Sequence, residues 1–95
     1  MASLKDAGDD IAMRRRRLRY RAAHRGTREL DLLLGPFADQ RAEGMSEVEL
    51  ARFEDLLEEE ETSLQDWLLG REVPPAAHAN FIAALLAFRA ESLSK

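Results

Sequence analysis

Apolar side chains recur along most of this 95-residue chain at the three- and four-residue spacing of α-helices. The clearest stripe consists of Leu30, Leu33, Leu34 and Phe37, which occupy positions i, i+3, i+4 and i+7. No segment alternates apolar and polar residues with the period of two that a half-buried strand requires. The pattern therefore predicts an all-α protein.

The N-terminal part divides into a polar tail and a first helix. Residues 1–10 are polar and predict a flexible N-terminal tail, so that residues 11–95 form the helical domain. The first helix is predicted over residues 11–24, with Asp9 or Asp10 as its N-cap.

A glycine and a threonine separate the first two predicted helices. Gly26 is a natural helix stop, and Thr27 can cap the helix that follows. Pro36 lies inside this second helix and has no N–H to bond the carbonyl of Leu32. We therefore expect a kink near Gly35 or a break of the helix.

Cap signals predict three more helices. Ser46 and Glu49 form an S-x-x-E capping box at the start of a helix over residues 47–60. Its predicted apolar face consists of Val48, Leu50, Phe53, Leu56 and Leu57. The signals for the last two helices are Thr62 or Ser63 as a cap, Gly70 as a stop, and Pro74-Pro75 as a start.

Five helices joined by short loops predict a small five-helix bundle with a single domain. The fourth helix is too short to be stable alone, so its Trp67 is expected to be largely buried against the bundle. The fifth helix is expected to bury Phe81, Ile82, Leu85, Leu86 and Phe88.

The composition of the chain indicates the cellular compartment in which the protein is expected to work. The chain has no cysteine, which excludes disulfides and thiolate metal ligands and is consistent with a reducing compartment. No apolar run approaches the roughly 18 residues that cross a bilayer, so no membrane insertion is expected. Acidic residues at the N-terminus and the lack of an apolar core there argue against a signal or transit peptide. A cytoplasmic monomer is expected.

Enzyme chemistry has little support in the sequence. His24 and His78 lie far apart, without the HExxH spacing of a zinc site, and structural roles are expected for both. Neither a GxGxxG fingerprint nor a P-loop is present to hold a pyrophosphate. The acidic run 58–61 is best explained as a solvated face. We therefore expect no catalytic residue, no metal site and no cofactor bound by the chain itself.

Charge is unevenly distributed although the net charge is −4. Residues 1–41 carry net +4 and residues 42–95 net −8. Six arginines lie within residues 14–21. Three explanations of this Arg14–Arg21 cluster remain open: a nucleic-acid-binding surface, salt bridges to the acidic third helix, and a protein-docking surface.

The segment Arg25-Gly26-Thr27-Arg28-Glu29 follows the arginine cluster directly. As an RGxxE pattern it is weak, and it is equally consistent with a plain turn between two helices. Its context is more specific: RRRLRYRAAHRGTRELDLLLGPF is followed by an S-x-x-E cap and an L-Q-D-W-L segment. From about Ile11 to Glu91 this arrangement resembles the succinate dehydrogenase assembly factor 2 family, the flavinylation factors of succinate dehydrogenase and fumarate reductase.

The resemblance implies a five-helix assembly factor that binds a client, the flavoprotein subunit of succinate dehydrogenase or fumarate reductase. It implies that the factor promotes covalent attachment of FAD, which belongs to the client. Arg25, Gly26 and Glu29 match the family's partner-binding motif position by position. Neighbouring candidates for the same surface are Arg15, Arg16, Tyr20, Arg28 and Asp31. A small nucleic-acid-binding regulator that uses the Arg14–Arg21 cluster is the alternative.

Overall fold

The computed structural model describes the backbone of residues 4–93 and the side chains of residues 10–93. This part of the chain contains five α-helices, one 3₁₀ turn and no strand, which confirms the predicted all-α fold. The elements are α1 (Leu4–Ala23), α2 (Arg28–Arg41), the 3₁₀ turn (Ala42–Gly44), α3 (Glu47–Leu57), α4 (Glu61–Leu68) and α5 (Ala76–Leu93).

The first helix is longer than the sequence predicts. It begins at Leu4 instead of residue 11, so Asp9 and Asp10 lie inside α1 and neither is its N-cap. No proline interrupts residues 4–10, so this polar segment accepts helical geometry. Residues 1–3 of the predicted tail lie outside the described residues, and its flexibility stays a prediction.

The second helix runs unbroken through Pro36, so a break is excluded, and the alternative of a kink near Gly35 stays a prediction. Pro36 is exposed, whereas Leu33, Leu34 and Phe37 on either side of it are buried. Burial of these side chains outweighs the one backbone hydrogen bond that proline removes. Thr27 caps the helix as predicted, because its side chain accepts a hydrogen bond from the Leu30 N–H.

The third helix ends earlier than predicted, and the fourth begins earlier. Glu58 and Glu59 donate to carbonyls three residues back, which tightens and ends α3 after Leu57. Glu60 is the N-cap of α4, so the prediction of a cap at residue 62 or 63 is wrong. The predicted capping box at the start of α3 is confirmed.

An aromatic cluster forms the centre of the core. The ring of Phe37 contacts those of Phe53 and Phe88 edge-to-face, at centroid distances of 5.6 and 5.4 Å. Trp67 is only 8% exposed, as predicted. Val48, placed on the apolar face of α3 by the sequence, is instead 63% exposed. It lies two residues before the buried Leu50, a rotation of about 200° around the helix axis.

Within the described residues, no helix is both long and apolar enough to cross a bilayer.

Candidate functional site

The RGxxE motif forms the corner between α1 and α2. We call Arg25–Thr27, three of the four residues between these helices, the RG turn. Gly26 has a φ of +117°, a conformation that L-amino acids with side chains rarely adopt. A Cβ at this position would lie 2.6 Å from Oε1 of Glu61, at the end of a flexible side chain. The turn therefore requires glycine mainly for its backbone geometry.

Asp31 closes the RG turn from the first turn of α2. Its Oδ1 accepts hydrogen bonds from the backbone N–H of Arg25 at 2.6 Å and of Gly26 at 3.3 Å. These N–H groups would otherwise lack a partner at the corner between the helices. Asp31 is also a sequence-based candidate for partner binding, and the structure places its carboxylate on the chain's own backbone.

Arg25 points inward, towards the end of α3. Its Nη1 donates to the carbonyl oxygen of Leu57 at 2.6 Å, and its Nη2 donates to that of Glu59 at 2.8 Å. Carbonyls at a helix C-terminus lack intrahelical donors, and a cation there also complements the helix dipole. Arg25 thus ties the RG turn to the α3–α4 connection, more than 30 residues along the chain.

Glu29 differs from Arg25 in its surroundings. It lies in the first turn of α2 and is exposed. Among residues 10–93 its carboxylate has no hydrogen-bond or ion-pair partner, so it does not hold Arg25 in place. A negative group at a helix N-terminus is stabilised by the dipole without a partner, which leaves this carboxylate available to an external donor.

The remaining predicted candidates lie along α1 and at the start of α2. Tyr20 is 66% exposed and its ring stacks on that of His24 at a centroid distance of 4.2 Å. Arg28 and Arg16 are exposed. The guanidinium of Arg15 instead donates to the backbone carbonyls of Ala42, in the 3₁₀ turn, and of Met45, directly after it, each at 3.1 Å.

Several arginines of α1 form ion pairs with acidic residues of the second half of the chain. The pairs are Arg14–Glu54 at 2.7 Å, Arg19–Glu43 at 2.9 Å and Arg21–Glu58 at 2.5 Å. The hydrogen bond from Arg14 to Glu54 raises the pKa of this guanidinium above its ordinary value. Ion pairing within the chain neutralises much of the Arg14–Arg21 cluster, so the nucleic-acid alternative gains no support.

A second polar pair also contacts the α3–α4 connection, and no motif in the sequence indicates it. Nε2 of the buried His78 lies 2.8 Å from Oε2 of Glu59, whose carbonyl accepts from Arg25. The ring of His78 also lies beside that of Trp67. Residues 59 and 78 come together only through the packing of α5, so no local pattern signals the pair. Within residues 10–93 no group of three or more His, Asp or Glu side chains is arranged to hold a metal ion.

Comparison with a family model and comparison with individual known proteins point to the same family. The chain matches the Sdh5 family, described as the flavinator of succinate dehydrogenase, over residues 16–89. It is 49% identical over 65 residues to the FAD assembly factor SdhE of Acetobacter pasteurianus, an alignment that covers 68% of this chain and 60% of that protein.

Eukaryotic relatives carry a related name. The chain is 40% identical over 70 residues to succinate dehydrogenase assembly factor 2, mitochondrial, of Caenorhabditis elegans, covering 72% of this chain and 59% of that protein. Identity to the protein of the same name from Cryptococcus neoformans is 36% over 73 residues, covering 77% and 42%. The chain thus spans about 60% or less of the length of these relatives. No solved structure matches the chain.

Proposed function

This chain belongs to the Sdh5 family, the flavinators of succinate dehydrogenase, and we propose that it acts as an assembly factor for that enzyme. In this proposal it binds the flavoprotein subunit of succinate dehydrogenase, the client, and promotes covalent attachment of FAD to it. The observation that carries the proposal is the family match, which includes the whole RGxxE motif. The exposed carboxylate of Glu29 beside a rigid turn provides a physical basis for binding.

We assign the motif residues two kinds of task. Arg25 and Asp31 hold the RG turn in one conformation through bonds within the chain. Gly26 and Glu29 are exposed and contact the client: the glycine allows its backbone to approach closely, and the carboxylate accepts hydrogen bonds. Tyr20, next to the turn, adds an exposed aromatic surface of the kind enriched at interfaces.

The protein acts on its client by binding and performs no chemistry itself. Binding that favours one conformation of the client shifts its population towards that conformation. We propose that the favoured conformation is the one in which the client's own groups form the bond to FAD.

Three finer points belong to the same proposal. The client is the flavoprotein subunit of succinate dehydrogenase, of fumarate reductase, or of both. The factor is a monomer that binds no FAD by itself. Its cytoplasmic location stays a prediction, which fractionation of cells is able to test.

The proposal is tested by measuring client binding and covalent flavin for Glu29→Ala. The control is Glu47→Ala, an exposed glutamate in the first turn of α3 and far from the motif. Both changes should alter the free energy of unfolding by no more than about 0.5 kcal/mol. Glu29→Ala should weaken client binding roughly 30-fold or more, because losing one partner of a buried charged hydrogen bond costs about 2–5 kcal/mol.

Covalent flavin is read as fluorescence of the denatured client on a gel, and it should fall in step with binding. Arg25→Ala should lower both the free energy of unfolding of the factor and its affinity for the client. This distinguishes Arg25, which holds the turn through bonds within the chain, from Glu29, which contacts the client. Normal flavin incorporation with Glu29→Ala would contradict the assignment of the motif to the interface with the client. Absence of any binding between the wild-type factor and the client would overturn the proposed function.

A further inference from the structure

An apolar groove of about 870 Å³ lies between α2, α4 and the C-terminal end of α5. Its floor includes Leu33, Leu68 and Phe88, which belong to the core. Leu32, on α2, and Leu69, directly after α4, also line the groove and are 65% and 61% exposed. Single exposed apolar residues are common on protein surfaces, but several large ones that line one groove form a contiguous apolar patch. Such a patch indicates an interaction surface.

The groove is continuous with the RG turn. On α2, Glu29 and Leu33 are four residues apart and therefore share the face that lines it. On α4, Gln65 lines the groove, and Glu61 lies one turn earlier on the same face, next to Gly26. Both walls therefore run from the RG turn towards α5, and a client bound at the turn extends naturally into the groove.

Charges of opposite sign mark the two ends. Glu29 lines the groove at the RG turn, whereas Arg89 lines it from α5. Contact between the rings of Phe37 and Phe88 places this part of α5 two turns further along α2 than Glu29, or about 12 Å. In the described part of the chain, the side chains of Glu29 and Arg89 have no hydrogen-bond or ion-pair partner. Both therefore remain available to a ligand.

We propose that the groove binds an amphipathic helix of the client, and this rests on the function proposed above. Three helices form its walls, and the apolar stripe of a fourth would pack between them as helices do in bundles. Charge complementarity sets the direction: a basic residue of the bound helix meets Glu29, and an acidic residue about two turns away meets Arg89.

A second copy of this chain fits the groove less well than a client helix. Outside the groove, the large exposed apolar residues of residues 10–93 form no continuous stripe: two lie seven residues apart on α1 with exposed arginines between them, one lies on α3, and one lies between α4 and α5. They are Met13, Tyr20, Val48 and Val73. The exposed face of α1 carries Arg16 and Arg17, which an apolar groove would not accommodate.

The test compares Leu32→Glu and Leu69→Glu with the control Val48→Glu. All three positions are exposed to a similar extent, but Val48 lies on α3 outside the groove. Binding is measured with the purified flavoprotein subunit of succinate dehydrogenase, and the folding of each variant is checked by thermal unfolding. The two groove variants should bind about tenfold more weakly or worse, because a charge in an apolar contact must be desolvated, and the control should bind like wild type.

Hydrogen–deuterium exchange of the client identifies the bound segment. One helix should be protected by the wild-type factor and not by Leu69→Glu, and it should carry an apolar stripe with a basic and an acidic residue. Unchanged affinity of both groove variants, or protection of a purely polar segment, overturns the groove proposal while wild-type binding still supports the proposed function. A wild-type dimer that Leu32→Glu converts to a monomer also overturns it, since a second copy then occupies the groove.

Discussion

Arg25 and Glu29 belong to one motif but have different surroundings. The arginine donates two short hydrogen bonds to carbonyls at the end of α3, and the glutamate faces solvent. Loss of activity on replacing Arg25 would therefore combine a stability defect with a binding defect. Only substitutions of Glu29 and Gly26 change the exposed surface without removing a hydrogen bond within the chain. For Gly26, the loss of stability caused by a side chain at positive φ must be separated from the loss of binding.

Gly70→Ala is the control that measures the cost of placing a side chain at a positive φ. Gly26 and Gly70 both have positive φ, +117° and +75°, but open space surrounds a Cβ at Gly70. Gly26→Ala and Gly70→Ala should each lower the free energy of unfolding by about 1–2 kcal/mol, measured by urea denaturation. Client flavinylation should fall only for Gly26→Ala. Equal flavinylation by the two variants would contradict a role of Gly26 in close approach to the client.

The third helix illustrates how a short element is fixed at both ends. A capping box satisfies N–H groups at its start, and the guanidinium of Arg25 satisfies carbonyls at its end. An isolated helix of 11 residues would be marginal in water, so its stability comes from these caps and from the buried face. The position of the RG turn therefore depends on an intact α3.

The capping box predicts a pH dependence of stability. The hydrogen bond from the Ser46 backbone N–H, followed by that with its side chain, lowers the pKa of Glu49 below its ordinary value of 4.5. A lowered pKa contributes stability that is present above the unfolded value and is lost as pH falls through the folded value. In urea unfolding between about pH 6 and pH 3, wild type should lose more stability than Glu49→Gln. Identical pH profiles of wild type and Glu49→Gln would contradict a stabilising role of the ionised Glu49 carboxylate in the capping box.

The fourth helix packs on the bundle through three buried side chains, Leu64, Trp67 and Leu68, of which Trp67 is the largest. Trp67 is buried beside His78 of α5, with the ring centroids 5.6 Å apart. Trp67→Ala should lower the free energy of unfolding by roughly 3–5 kcal/mol, because it leaves a large cavity. Leu69→Ala, at an exposed position just beyond the same helix, serves as the control and should change stability little. A small effect of Trp67→Ala on the melting temperature would contradict this packing.

At the scale of the whole molecule, the two oppositely charged halves of the chain pair with each other. Ion pairs join α1 to α3 and to the 3₁₀ turn, so the charge asymmetry seen in the sequence is partly neutralised on folding. Partly exposed pairs of this kind contribute about 0.2–1 kcal/mol each. They help set the orientation of α1 and leave Arg16 and Arg17 of α1, and Arg28 within the motif, as exposed positive groups.

The isolated factor should not bind free FAD tightly. Its sequence has no glycine-rich loop to hold a pyrophosphate, and the family match concerns FAD attachment to another protein. Calorimetric titration with FAD should show no stoichiometric, sub-micromolar binding, whereas addition of the client should allow flavin incorporation. Tight binding to the factor alone would contradict the assignment of FAD to the client and would favour an enzyme that acts on flavin directly.

The sequence by itself determined the helical fold, the cap at Thr27, the capping box at Ser46 and the burial of Trp67. These features depend on apolar periodicity and on hydrogen bonds between residues three or four positions apart, which a linear pattern contains. The RGxxE motif was also visible as a pattern, although its residues could not be separated into holding and contacting groups.

Only the tertiary structure decided where α3 ends, why α2 continues through Pro36, and which motif residues point inward. The carbonyls that receive Arg25 lie more than 30 residues away in sequence, and the groove beside Glu29 has walls from three helices. Such features arise from contacts between distant segments, and their free energies depend on packing that no local window of sequence contains.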